Sequence, residues 1–478
     1  MTYPDVMVLD YMKRVGQISP ELQMQAEEFV AQGYQRLLTF EVAGGGFSLF
    51  GQAPADPLLS AYGLMMLSDM RRVYPIDGGP VERTANWLLE QQQSDGSWAA
   101  RGWREAAALN AMEDRLPTTA FVVWALAEAG YGEEPGTRRG TAYLLDHLAE
   151  AEDPYVLALC ANALSSRATQ YSGAIQVLDR LAKQAIVEGE AVHWETGLGT
   201  FMGGRDRASS VEVTALAAQA MLRAGRHPDL GQGALTYLIR QKDSFGTWQT
   251  TQATVWALQA LLLSAVQGND APSGVRVTVS VDGSEAEPIV LDGQNAGVVH
   301  VLSFDDVGKG EHHVAFRMAG NGRLMYQVTT EYYLPWDQVP PEPAEEEAIS
   351  VEVGYDRTTL AVQDEVTAHV WLNLNAPGTA QMVLVDLGVP PGFTVLDEDL
   401  QALVAQGVIN RFERTGRQII VYLTDLASDR PVSFQYRLQA RYPLRVQVPA
   451  SQAYDYYSPD RRGEERPLQV VVEDHGGQ

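Results

Sequence analysis

The residues able to do covalent or acid–base chemistry are few and scattered. Cys160 is the one thiol among 478 residues. A nucleophilic cysteine needs a base or a cationic neighbourhood to hold its thiolate. The stretch Asp153 to Ser165, DPYVLALCANALS, is apolar on both sides of it, so a buried, inert thiol is expected. One cysteine also excludes an intramolecular disulfide and any zinc site built on two thiolates. His193 stands beside Trp194 and Glu195 and reads as a packed loop histidine. Asp397-Glu398-Asp399 is a short acidic run, and Trp103-Arg104-Glu105 is a charged, aromatic stretch. The chain has no phosphate loop, dinucleotide fingerprint or metal-spaced His/Glu motif, so neither cofactor nor metal is expected.

The elements that must position these residues change character near residue 270. Before it the apolar residues follow a helical period, and after it they alternate as in strands. Upstream of that point a single helix type recurs at Asp56 to Met70, Leu116 to Gly130, Asp153 to Arg167, Ser209 to Gly225 and Thr251 to Ala265. It carries Ala, Ser or Thr at tight positions, which suits helices converging on a common axis. More polar partners lie between at Val81 to Gln93, Gly136 to Leu148 and Leu230 to Gln241. Ser19-Pro20 marks a helix start, and Ser209 with Glu212 has capping-box spacing. Stacked helix pairs either run on as a solenoid or close on themselves. No polar capping repeat is evident at either end, so an α/α toroid is expected. Two turns, QQSDGSW at Gln92 to Trp98 and QKDSFGTW at Gln241 to Trp248, read as staples in which glycine turns the chain and Gln and Trp pin it.

Composition narrows the function. With 35 Lys and Arg against 61 Asp and Glu, the formal net charge of −26 repels phosphate backbones and anionic membranes, which argues against nucleic-acid partners. The 45% hydrophobic content allows a sizeable core. No apolar run is long enough to span a bilayer, and the amino terminus lacks the regions of a signal peptide.

Those staple turns resemble the repeats of terpenoid cyclases. A protonating cyclase would need an Asp-x-Asp-Asp cluster, however, and a protein prenyltransferase an Asp, Cys and His zinc set, and neither occurs within residues 1 to 268. Asp397-Glu398-Asp399 lies in the other half. A second resemblance covers the chain more fully. VLDYM (Val8 to Met12), GYQR (Gly33 to Arg36), GGFSLFG (Gly45 to Gly51) and VHWE (Val192 to Glu195) together resemble the thioester domain of the α-2-macroglobulins, in order and spacing. AYDYYSPD (Ala453 to Asp460) resembles the signature of that family's receptor-binding domain. GGFSLFG and DRLPTTAFVVWALAEAG (Asp114 to Gly130) look bacterial.

The resemblance implies a broad-spectrum endopeptidase inhibitor rather than an enzyme. A protease cuts a bait segment, the protein rearranges, and a buried thioester acylates the attacker. That thioester is made by a Cys-x-Glu-Gln motif, which this chain lacks, since Cys160 is followed by Ala161-Asn162-Ala163. In relatives the motif lies just upstream of Val-Leu-Asp-Tyr, so the sequence reads as a carboxy-terminal portion, whether fragment, mis-started frame or truncation. Its expected partners are target proteases and the upstream part of a parent protein, and its expected location is periplasmic or cell-surface. The family's thioester-assisting histidine would fall at Trp103, Arg104 and Glu105, where no histidine stands. Glu105, Glu113 and Asp114 read as a solvated rim.

The implied organisation is a thioester-type toroid at 1–268 and the second half of a CUB-type β domain at 272–336, with strands at Val275 to Val281, Val298 to Phe304 and His313 to Met318. A Pro/Glu-rich linker follows at 337–348, and a receptor-binding-like, Ig-like β-sandwich at 349–474. Half a CUB module would leave unpaired edges and an exposed core. A short helix is expected at Asp397 to Gln406, but DEDLQALVAQ lacks the lysines with which relatives bind receptors. Two other readings stand beside this one: a stand-alone protein-binding module using the toroid face, and a terpenoid cyclase-like enzyme, disfavoured for want of an acidic cluster.

Overall fold

The computed structural model describes all residues except 1, 16–17, 19, 50, 100–114, 167–171, 202–203, 244–245, 268–273, 293–294, 296–299, 306, 322–323, 325, 336–337, 339–346 and 475–478. The chain divides into two compact units, residues 1–198 with 210–330, and residues 199–209 with 331–478.

The first unit is helical: α1 (Thr2–Val15), α2 (Pro20–Leu38), α3 (Pro57–Val73), α4 (Gly79–Glu90), α5 (Arg115–Leu126), α6 (Pro135–His147), α7 (Pro154–Ser165), α8 (Ser172–Lys183), α9 (Asp206–Ala224), α10 (Pro228–Arg240) and α11 (Thr251–Gln267). The odd-numbered helices form the inner ring. α1 packs on α3, α3 on α5 and α5 on α7. Asn162 Nδ2 on α7 donates to Leu216 O on α9 at 2.9 Å, and Gln219 Nε2 on α9 to Trp256 O on α11 at 3.1 Å. α11 then packs on α1 and closes the ring, which is the expected α/α toroid. Composition explains who goes inside, because α5 and α7 are almost wholly buried whereas α4, α6 and α10 bury one face.

Three outer helices, α2, α4 and α10, are each tied to the next inner helix by a recurrent turn. In residues 42–47, 93–98 and 243–248 the first residue's N–H bonds the carbonyl of the fifth, and the fourth residue's N–H bonds the carbonyl of the first. The fourth residue is Gly45, Gly96 or Gly246, with φ of 107°, 89° and 84°, values that glycine alone adopts without strain. The sixth is Phe47, Trp98 or Trp248, all buried. Its N–H donates to a hydroxyl on the following inner helix: Phe47 to Ser60 at 2.8 Å, Trp98 to Thr119 at 2.9 Å and Trp248 to Thr254 at 3.1 Å. The indoles reach back, Trp98 Nε1 to Leu88 O and Trp248 Nε1 to Leu238 O, both at 2.6 Å. Trp194 makes the same two bonds, to Thr214 and Leu181 O, from a hairpin of Ile186–Glu188 and Ala191–His193. Gln92 acts as expected, donating to Gly96 O and Gly136 O.

Two expectations need correction. α9 begins at Asp206, so Ser209 lies inside the helix, where its hydroxyl donates to Asp206 O, and Glu212 is fully buried. The spacing of a capping box therefore marks no helix start here. Residues 300–304 of the expected strand at Val298 to Phe304 join no ladder. The sheet of this region is instead built on Val275–Val281, paired with Ser284–Glu285, Ile289–Leu291 and Val314–Ala319. Its outer strand leaves Phe316 and Met318 exposed, and Tyr326 stacks on Phe316 at 4.1 Å.

The second unit is a β-sandwich. One sheet orders Arg411–Arg414, Gln418–Ala427, Thr379–Gly388, Ser451–Asp455 and Ser458–Glu465. The other orders Phe393–Val395, Val432–Ala440, Glu365–Leu374 and Ile349–Tyr355, and a small third sheet joins Leu444–Gln447, Gln469–Glu473 and Thr359–Ala361. Period-2 patterning decides the faces. Val366, Ala368, Val370, Leu372 and Leu374 all point into a core shared with Val383, Val385, Ile419 and Val421. The expected helix is α12 (Asp397–Ala405).

Candidate functional site

A cluster of aromatic side chains from four inner helices occupies the centre of the toroid, with ionisable groups around it. Tyr3 (α1), Tyr62 (α3), Phe121 and Trp124 (α5) and Trp256 (α11) meet there. Tyr3 and Tyr62 are edge-on at 5.5 Å, Trp256 is edge-on to Tyr62 and to Phe121 at 6.2 Å, and it stacks on Trp124 at 5.3 Å. Neither α3 nor α5 neighbours α11 in the ring, so these contacts cross the axis. The middle of the ring is bridged by aromatic side chains.

Polar groups surround this bridge. Tyr3 Oη donates to Asp69 Oδ2 at 2.8 Å, and Asp69 pairs with Arg72 at 2.6 Å. Burial pushes the Asp69 carboxyl up and Arg72 opposes it, while burial pushes the Tyr3 phenol well up. The Tyr62 phenol is also raised, first by burial and then by the charge of Glu212. On the other side Arg223 lies over Trp124 at 5.4 Å, pairs with Glu128 at 3.2 Å and donates to Asn162 Oδ1 at 3.3 Å. Trp124 Nε1 completes the set on Glu128 at 3.1 Å. The two acids thus each hold a ring hydroxyl or indole and an arginine, which fixes the aromatics rather than activating a nucleophile.

Trp103, Arg104 and Glu105, with Glu113 and Asp114, lie outside the described residues. Cys160 is fully buried in mid-α7. His193 is packed as expected, stacked on Tyr237 at 4.7 Å, with Glu195 at 3.7 Å. Asp397 and Asp399 sit in the first turn of α12 and are engaged, Asp397 by Arg414 and Asp399 by both the backbone and the guanidinium of Arg437. That engagement holds the Asp399 carboxyl below its usual range. Among the described residues no three His, Cys, Asp or Glu side chains are grouped to hold a metal.

Sequence reasoning missed the central set. Its signal was present as Tyr62 and Glu212, polar side chains within apolar stretches of α3 and α9, and as Asp69 and Glu128 near the ends of inner-helix repeats, where a polar side chain that turns inward needs an internal partner.

The quoted motifs each acquire a local reason. Gly46 in GGFSLFG faces the Trp87 ring, which a Cβ would approach to 2.8 Å, and Gly51 has Thr39 O at 2.2 Å from that position. In AYDYYSPD, Asp455 is buried and accepts from Tyr457 N at 2.9 Å, turning one strand into the next at a register shift after Tyr454.

Residues 1–263, more than half of the chain, match the family described as the A-macroglobulin TED domain, and residues 378–466 match the A-macroglobulin receptor binding domain. The chain belongs to the α-macroglobulin family. Chicken ovostatin is 23% identical over 477 residues, which is 95% of this chain and 31% of ovostatin. Native Escherichia coli α-2-macroglobulin, solved by cryo-EM, superposes with a TM-score of 0.62 at 16% identity over 97% of this chain and 28% of its own. A crystal structure of that protein from domain MG7 to the C-terminus gives 0.63 at 16% identity, over 97% and 70%. Salmonella α-2-macroglobulin reacted with methylamine gives 0.64 at 16% identity, over 98% and 29%. The chain spans about a third of the length of ovostatin. Among the described residues no helix is long and apolar enough to cross a membrane.

Proposed function

We propose that the chain serves as the carboxy-terminal part of an α-2-macroglobulin-like, broad-spectrum protease trap, with target proteases and the upstream part of a parent protein as partners. The observation that carries the reading is the order of parts: a thioester-type toroid followed by a receptor-binding sandwich, alignable to α-2-macroglobulins over nearly the whole chain. Its role is structural and non-enzymatic. Residues 1–268 form the toroid, 272–336 the second half of a CUB-type domain, 337–348 a linker and 349–474 the receptor-binding-like sandwich. Exposed Phe316, Met318, Tyr326 and Tyr333 support an incomplete CUB sheet.

The chain itself supplies no thioester. Cys160 is fully buried in the apolar α7, away from water, and no Glu-Gln follows it. Any covalent capture must therefore come from a segment outside this sequence. Trp103, Arg104 and Glu105 are the sequence counterpart of the region that carries an assisting histidine in relatives; with no histidine among them, any acyl transfer in the parent protein would favour amine targets. We place the assembly outside the cytoplasm.

The test is to isolate the chain from its source with whatever it is joined or bound to, add an endopeptidase, and follow cleavage of a large protein and of a small peptide. A trap encloses its protease, so loss of protein cleavage with retention of peptide cleavage is expected. Equal, unaltered rates on both substrates would overturn the proposal.

A further inference from the structure

His312 sits in the small β-sheet of the first unit, between two groups that can only accept. Its Nδ1 lies 2.6 Å from Asp282 Oδ2 and its Nε2 lies 2.8 Å from Gly308 O. A neutral imidazole carries one N–H and can satisfy one such partner, whereas the imidazolium satisfies both. Asp282 occupies the turn after strand Val275–Val281 in a left-handed conformation, φ 52°, and its other oxygen accepts from His313 N at 2.7 Å. One carboxylate and one imidazole thus tie three pieces of chain: the 282–283 turn, the Gly308 loop and the start of the outer strand Val314–Ala319.

We propose that His312 is a pH-sensitive clasp that, in its protonated form, fastens the Gly308 loop and the outer strand to the Asp282 turn, and that lets the loop go when it loses its proton. Among the described residues Asp282 is the one charged group acting directly on the ring. The other charges of the packed elements are engaged or turned to solvent: Glu285 pairs with Arg317 at 3.2 Å, Lys309 and Glu311 are exposed on the loop, and His313 reaches Asp282 through its backbone. The carboxylate first, and the Gly308 carbonyl second, raise the His312 pKa above its ordinary value, while the His313 backbone N–H first, and the His312 ring second, lower that of Asp282. The sign follows from linkage. A histidine raised in the folded state holds its tie fully below its unfolded pKa of about 6.5 and loses it as pH rises through the raised folded value. The loop should therefore be fastened below about pH 6.5 and freed as the pH passes the raised His312 value.

The consequence lies at the sheet edge. Strand Val314–Ala319 carries exposed Phe316 and Met318 and pairs with Val275–Val281 from Arg276 to Val281, and His313 is the residue that leads into it. Releasing His312 loosens the entry to that edge strand without touching the toroid staples.

The experiment is amide hydrogen exchange of residues 305–316 in the full chain between pH 5.5 and pH 9, corrected for intrinsic exchange, with the NMR titration of His312 alongside. Protection of this segment should fall in one step centred above pH 6.5, matching the His312 midpoint. His312→Gln should remove the step, and Asp282→Asn should bring the midpoint down towards the ordinary histidine value. Both variants should keep the wild-type melting transition of the helical unit, which controls for misfolding. Protection that does not change between pH 6 and pH 9, or a step that survives in His312→Gln, would overturn the proposal.

Discussion

At the residue scale the toroid is held by buried tryptophans rather than by its ion pairs. Arg138 with Glu133 is exposed, and such a pair is worth about 0–1 kcal/mol. Removing a fully buried Trp side chain costs about 3–5 kcal/mol. The two bonds of a tryptophan staple can be tested one at a time. Trp98→Phe deletes the indole bond and leaves unfilled the space of the second ring at a fully buried site, so a cavity cost adds to a net hydrogen bond of about 1 kcal/mol. Thr119→Val leaves the buried Trp98 N–H without its acceptor and should cost about 1–3 kcal/mol. Urea denaturation should place both variants below wild type in stability; a Thr119→Val chain as stable as wild type would contradict the staple's geometry.

A second prediction at this scale concerns acid. Asp179 accepts a bidentate pair of bonds from Arg226 at 2.9 Å and faces His227 Nε2 at 2.7 Å, and these partners lower its carboxyl to about 2. A depressed carboxyl contributes stability that is present above its unfolded pKa of about 3.9 and lost as pH falls through the folded value. Asp179→Asn should flatten the acid limb of the stability curve between about pH 4 and pH 2 and leave its shape unaltered above pH 5. An acid limb identical to wild type would remove Asp179 from the account.

At the element scale the recurrent turn is the unit of construction, and its glycines are not interchangeable with others. Gly96 has φ 89° and would place a Cβ 2.8 Å from Arg139 O, whereas Gly189, φ 62°, has nothing within 4 Å. Both substitutions to Ala incur a left-handed penalty of about 1–2 kcal/mol. Only Gly96→Ala adds a clash with backbone. Thermal melting should show Gly96→Ala lower than Gly189→Ala, and equal midpoints would refute the packing argument.

Much of this scale was legible in the sequence, and its failures have physical causes. The inner helices stood out because small and apolar residues repeat at helical period. The strand Glu365–Leu374 stood out because alternation puts every second residue in the core. The Gly45-Gly46-Phe47 turn escaped recognition as a third copy of the Trp98 turn, since its aromatic residue is Phe and no glutamine accompanies it, although its backbone bonds are the same. Ser209 and Glu212 misled because a hydroxyl and an acid three apart serve equally well inside a helix, one bonded back to a carbonyl and the other buried. At Val298 to Phe304 alternation suggested a strand, but a ladder requires a partner, and sequence pattern does not reveal one. The central cluster of Tyr3, Tyr62, Trp124 and Trp256 depends on contacts across the ring, which no local pattern records.

At the scale of the whole molecule, a net charge of −26 accompanies a stretch of sequence that carries several exposed apolar side chains. Val301, Met318, Tyr326, Val328, Tyr332 and Tyr333 are each about half exposed or more, in a stretch of the chain where single exposed residues would be ordinary. The folded chain should bind the dye ANS under native conditions, and the double change Phe316→Ser, Tyr326→Ser should reduce that signal while leaving the far-UV spectrum intact. Native-state fluorescence no higher than that of a typical folded protein would contradict the reading of an incomplete sheet. The family membership, the toroid and the sandwich are what the proposed role in a protease trap rests on, and that proposal gives the chain no thioester of its own.

Methylamine tests that claim most directly, because a primary amine opens a thioester, adds to the acyl group and frees the thiol. The measurement is the intact mass of the purified chain before and after methylamine, with thiol titration in native and denatured conditions. The account predicts an unchanged mass and one thiol, Cys160, that reacts only after denaturation. A methylamine adduct on this chain, or a thiol released by the amine under native conditions, would contradict it.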